Sequence, residues 1–221
     1  MSKRLVINSI SGTTLYIINM LIVFMLSPVI VRALGNRDYG IWELVMSVVG
    51  YMGLLDLGIG PALLRYVAVY HTSGEREELQ KTISTAMMFF VTIGLIATLL
   101  LVGLSHYPAF LTGGEQIDIR YVTSVLLLFA FNAVLVFPLN VLVATLLGVQ
   151  RHYLVNATRI IFGVIRAFIA YYLLVTYPAK GLLVLALLEP VFNVLQFGVY
   201  AVALQRDLSI PGFSFSACTV A

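Results

Sequence analysis

Arg159 and Arg166 are the only charged residues in the apolar stretch from Tyr153 to Tyr177. At 100 degrees per residue, Asn156, Arg159, Gly163 and Arg166 fall within about 80 degrees of one another, so a helix over this stretch carries one basic face. Guanidinium groups at such a depth either pair with a carboxylate, snorkel to lipid phosphates, or offer positive charge to an anion. Glu189, Asn193, Gln196 and Tyr200 occupy a comparable arc in the next apolar stretch, as do Asn8, Gly12 and Asn19 in the first. Three apolar helices with one polar face each are the pattern expected around a hydrated cavity.

Depth decides which charges can meet. The last two stretches form a tight antiparallel hairpin about Ala179, which puts Arg166 level with Val191 or Phe192. Glu189 is then within about one helical turn, 5.4 Å along the axis, so an Arg166 to Glu189 ion pair is one reading and a cationic substrate contact the other. Arg159 has no acid at its mirrored depth. It either snorkels to the interface or presents an uncompensated positive charge to an anionic substrate.

Glu43 and Asp56 stand thirteen residues apart on different faces, about 20 Å along one helix, which excludes paired carboxylates sharing a proton or a metal. Glu43 is placed to pair with Arg32 across a short loop. Asp56, followed by Gly58, Gly60 and Pro61, is either a coupling site for a proton or cation or a hydrogen-bond partner of a neighbouring helix. His71, His106 and His152 lie far apart at expected surfaces, and Cys218 is the single cysteine. With no phosphate-binding glycine loop, paired-histidine helix or aspartate-rich cluster, the chain reads as no enzyme, with no metal and no cofactor.

The elements that must position these groups are membrane helices. Sixty-one percent of the 221 residues are apolar and ten percent are charged. The mean hydropathy is +1.01, beyond what a soluble domain with a polar surface reaches. At about 20 apolar residues per crossing, six spans are expected near 8–31, 41–64, 83–105, 121–147, 153–177 and 181–204. The first run is too long for a signal peptide, whose apolar core spans about 7 to 15 residues. Connections this short leave no soluble domain for a nucleic-acid surface, and the net charge of +3 fits the Lys and Arg retained in loops.

Seven basic residues, Lys3, Arg4, Arg65, Arg76, Lys81, Arg151 and Arg206, fall on one side of this arrangement. Four, Arg32, Arg37, Arg120 and Lys180, fall on the other, which predicts both termini in the cytoplasm. The connections at 32–40, 106–120 and 178–181 are then external loops. The polar insert His71 to Lys81 predicts a helix start at the inner surface, with Thr72 and Glu75 as a capping box and Glu77 paired with Lys81.

Three segments carry a resemblance: Leu26-Ser-Pro-Val-Ile-Val-Arg-Ala-Leu-Gly35, Tyr39-Gly-Ile-Trp42, and Leu54-Leu-Asp-Leu-Gly-Ile-Gly60 with Arg65-Tyr66. They resemble the N-terminal part of the polysaccharide transport family, the Wzx-like oligosaccharide flippases of the multidrug/oligosaccharidyl-lipid/polysaccharide exporter superfamily. Beyond the first third of the chain, the resemblance rests on span order and on Gly148-Val-Gln150. It implies a six-helix lobe over residues 1–205, followed by the start of a truncated inter-lobe linker at 206–221. It also implies a bacterial inner-membrane protein that moves polyprenyl-pyrophosphate-linked oligosaccharide between leaflets by alternating access. The expected partners are the bilayer, that lipid-linked oligosaccharide, and a missing C-terminal lobe or second subunit. On this reading Arg159, Arg166, Arg32 and Asn19 contact substrate, while Asp56, Glu43, Glu189 and Asn193 serve coupling or structure. The alternatives are a multidrug exporter of the same superfamily and a membrane scaffold that transports nothing, whose polar faces would close on one another without a cavity.

Overall fold

The computed structural model describes residues 2–52, 58–107 and 119–208, which are helical almost throughout. The described helices are α1 Ser2–Met52, α2 Ile59–Ser73, α3 Arg76–Ser105, α4 Ile119–Gly148, α5 His152–Thr176 and α6 Gly181–Leu208. A 3-10 turn at Pro178–Lys180 joins the last two. Five helical stretches are long and apolar enough to cross a bilayer, and the protein is an all-α membrane protein. The first of the five, Ile10–Tyr51, has 42 residues. At 1.5 Å per residue it measures about 63 Å, twice the thickness of a hydrocarbon core.

Gly35 resolves that excess length. Its backbone angles, φ 69 and ψ 172, belong to a region that side chains with a Cβ do not enter without strain, so α1 is two helices joined at one residue. The polar residues Arg32, Asn36, Arg37 and Asp38 predict a loop over 32–40. Instead, helix continues on both sides of Gly35 and the turn is confined to that glycine.

Contacts set the order of the bundle. Residues 2–34 run alongside α5 in the same direction: the Asn156 amide donates to Ser11 Oγ near one end, and Leu34 reaches Gly181 near the other. Residues 36–52 and α2 return along α4, with the Trp42 and Phe129 rings 5.6 Å apart and Gly148 against Val67. Phe129 and Gly148 lie about 28 Å apart along α4, so these two helical pieces together make one traverse of roughly bilayer thickness. The second span, expected as one helix over 41–64, is therefore divided, and α2 starts after Gly58 in the left-handed conformation, φ 79. Counting that divided traverse, the described chain passes six times between the Gly35 end and the Gly148 end.

Helix α4 is the core element. Val122, Val125, Leu126, Leu142 and Leu146 have no exposed surface, as expected of a helix that is apolar all round. The Thr98 hydroxyl of α3 donates to the Ala130 carbonyl of α4 at 3.0 Å and Phe90 packs on Phe137. Residues 2–34 lie at the edge, where Tyr16, Phe24 and Met25 are exposed.

The polar insert differs from expectation. Helix α2 continues to Ser73 and Thr72 Oγ1 donates to the Ala68 carbonyl, so no capping box forms. Thr72 is still inside α2, and Gly74, φ 79, ends that helix before α3 begins at Arg76. The Lys81 ammonium does meet Glu77 at 3.0 Å and Glu78 at 3.1 Å on an exposed face.

Among the described glycines, Gly148 makes the closest approach to a neighbouring helix. A Cβ there would stand 2.7 Å from Val67 and 2.9 Å from the Leu64 carbonyl oxygen, and a backbone atom cannot rotate away. Gly148→Ala should therefore separate α2 from α4 and cost about 1–3 kcal/mol, read as a lower melting temperature in detergent. An unchanged melt would show that the two helices are not packed at this point.

Candidate functional site

The basic face of α5 divides along its length. Asn156 donates to Ser11 at 3.0 Å, and a Cβ on Gly163 would lie 3.8 Å from Ile22 and 3.9 Å from Asn19 Oδ1, so both positions are pressed against α1. Arg166 points to α6, where its Nη1 donates to Glu189 Oε1 at 2.7 Å. The side chains of that pair are 41% and 23% exposed, so neither charge is fully enclosed. One turn further along α6, the Asn193 amide donates to Oδ1 of Asn132 on α4 at 2.8 Å. Asn132 is buried, and this bond gives its side-chain oxygen a donor inside the bundle core.

Arg159 differs from these. It is exposed, and among the described residues no carboxylate stands within ion-pairing distance of it. The buried Tyr200 hydroxyl lies beside its guanidinium and donates to the Val155 carbonyl at 3.3 Å. Phe162 packs edge-on against Phe192 one turn away and keeps α5 and α6 in register. Arg159 and Arg166 are about 10 Å apart along the helix, one unneutralised by any described acid and one paired.

The other expected residues are dispersed. Asn19 is exposed on α1 with its side-chain oxygen toward Gly163, on the flank of the basic face. Arg32 and Glu43 are both exposed on opposite sides of Gly35 and make no ion pair with each other; Glu43 lies against Tyr39 one turn earlier. Asp56 and Cys218 fall outside the described residues. Among the described residues, no group of His, Cys, Asp or Glu is placed to hold a metal ion. Ser11 and Asn132 escape a charge-based reading of the sequence. An amide midway along the 30-residue apolar α4 requires a partner, and that was the available signal for Asn132.

These features define a multi-pass helical membrane protein with a polar network inside the bundle and one basic face only partly neutralised. The chain belongs to the family described as polysaccharide biosynthesis protein, whose family model matches residues 5–219. It is similar to a Shigella flexneri protein named "Putative O-antigen transporter", 25% identical over 194 residues, covering 83% of this chain and 43% of that protein. It is also similar to the Bacillus subtilis (strain 168) "Uncharacterized membrane protein EpsK", 25% identical over 104 residues, covering 47% of this chain and 21% of that protein. The chain thus spans less than half the length of these relatives. No solved structure gives a significant match.

Proposed function

We propose that the chain forms a lobe of a flippase that carries polyprenyl-pyrophosphate-linked oligosaccharide across the bacterial inner membrane, without enzymatic chemistry. The observation that carries the reading is Arg159, an exposed guanidinium on the basic face of α5 with no described carboxylate within ion-pairing distance, in a family of polysaccharide biosynthesis proteins. Bringing a pyrophosphate into low dielectric is costly unless charge-assisted hydrogen bonds replace its water, and a guanidinium supplies them two at a time. Arg159 contacts the anion, while Arg166 is held by Glu189 and keeps α5 against α6. Asn19 borders the same face. A second lobe, rocking against this one, completes the path.

A structural role is favoured for part of the polar surface. Ser11 with Asn156, Asn132 with Asn193 and Arg166 with Glu189 close on one another, as the faces of a scaffold would. Arg159 and Asn19 are exposed and do not join that closure.

The test is complementation. Expressed from its full reading frame in a bacterium lacking its own oligosaccharide exporter, the protein should restore surface polymer. Lipid-linked precursor remaining on the cytoplasmic leaflet, with the protein inserted, would remove the reading. The proposed orientation, both termini in the cytoplasm, is supported by seven basic residues at the Gly148 end against four at the Gly35 end and has its own test. In a Cys218→Ser background, a cysteine replacing Ser73 should resist an impermeant external thiol reagent and one replacing Lys180 should react. The opposite labelling would invert the topology.

A further inference from the structure

A groove of about 480 Å³ opens between the start of α5 and the last turns of α6, at the Gly148 end of the bundle. Its walls are Leu154, Val199, Val202 and Ala203, and Arg151 and Arg206 line it as well. Arg151 donates from Nη1 to the Tyr153 hydroxyl at 2.6 Å, with its guanidinium carbon 5.9 Å from the centre of that ring. Both contacts hold the cation in place beside the groove.

Gly198 gives the groove its depth. A Cβ built on it meets nothing within 4 Å, and its backbone has no positive φ, so neither packing nor conformation requires glycine there. Glycine in a helix costs about 1 kcal/mol relative to alanine. The missing side chain leaves space open in a wall where a larger residue would fill it.

We propose that this groove binds one acidic glycerophospholipid. The phosphate sits between Arg151 and Arg206, and an acyl chain runs past Gly198 along Val199 and Val202. Two features select that occupant. The arginines stand at the N-cap of one spanning helix and in the last turn of the next, at headgroup level, where paired basic residues between helices take anionic headgroups. Apart from Tyr153, whose hydroxyl stands beside Arg151 at the headgroup end, the remaining walls are aliphatic, which suits an acyl chain. The site is separate from Arg159, about two turns deeper in α5, and does not depend on the transport reading.

The experiment titrates the purified chain in mild detergent with phosphatidylglycerol and with phosphatidylethanolamine, reading bound lipid by native mass spectrometry and the melting temperature. Phosphatidylglycerol should bind at least tenfold more tightly. Combined Arg151→Gln and Arg206→Gln should weaken it about thirtyfold, the product of roughly fivefold for each arginine near an anionic lipid surface. Gly198→Leu should melt no lower than wild type without lipid, since its side chain enters open space, yet lose about tenfold in binding. Gly198→Ala, which leaves most of the groove, should bind as wild type does. Equal binding of the two lipids, or unchanged binding in either the arginine pair or Gly198→Leu, would overturn the site. So would weakened binding in Gly198→Ala. Displacement by millimolar inorganic phosphate would make it a free-anion site instead, and displacement by equimolar polyprenyl phosphate would assign it to the carrier lipid; either result overturns the proposal.

Discussion

Arg166→Leu should cut the yield of folded protein several-fold, and adding Glu189→Leu to the same chain should return most of it. The pair joins α5 to α6 through a 2.7 Å charge-assisted hydrogen bond. Removing the arginine leaves a carboxylate facing apolar neighbours, whereas removing both leaves two leucines that pack. Stranding one member of a buried pair costs about 3–5 kcal/mol. With the two side chains 41% and 23% exposed, the lower end applies, about 3 kcal/mol or somewhat more than a hundredfold in the folding equilibrium. Size-exclusion chromatography of the detergent-extracted protein reads the folded fraction directly. A double variant no better than the single one would mean that the arginine acts on something other than Glu189.

Arg159→Ala should have the opposite profile, with folding retained and transport lost. Its guanidinium is exposed and no described acid balances it, so truncation strands no charge, and the Tyr200 hydroxyl beside it keeps its bond to the Val155 carbonyl. A hydrogen bond to a charged group is worth about 1.5–3 kcal/mol, which predicts a loss of substrate affinity between about tenfold and a hundredfold. Arg159→Lys should recover part of this, keeping the charge but losing the planar fork that bonds two phosphate oxygens together. The measurement compares surface polymer with membrane-inserted protein in cells that depend on the full reading frame. If Arg159→Ala exports normally while well-folded Arg166→Leu does not, the two arginines have each other's roles.

Apolar length placed four of the traverses closely. The spans expected at 83–105, 121–147, 153–177 and 181–204 appear as helices Arg76–Ser105, Ile119–Gly148, His152–Thr176 and Gly181–Leu208. Hydropathy reads only the bilayer thickness, and these helices have little else to satisfy. It failed at 32–40 because charged residues at the membrane surface suit a helix as well as a loop, and the turn there depends on one backbone angle at Gly35. The left-handed Gly58 was equally invisible within the run expected as a single second span, and Thr72 looked like a cap only while α2 was assumed to have ended. Among the site residues, Arg166 and Glu189 were legible because a tight hairpin fixes which depths face each other. Asn132 with Asn193, and Ser11 with Asn156, join helices far apart in the chain. No local spacing encodes such a meeting; only the packing order of the helices does.

The pairing of the first helix with α5 also has a history in time. Ser11 meets Asn156 across 145 residues of chain, and a ribosome adding about 5–20 residues each second needs roughly 7–30 s to make that length. Throughout that interval residues 2–34 stand in the membrane without the helix that will cover their polar side. The hydroxyls and amides there have only their own backbone, lipid headgroups or an insertion factor to bond with. A segment made well before its final neighbour thus waits for it in the membrane, and a stalled nascent chain that ends before α5 should be held longest by the insertion machinery at this helix.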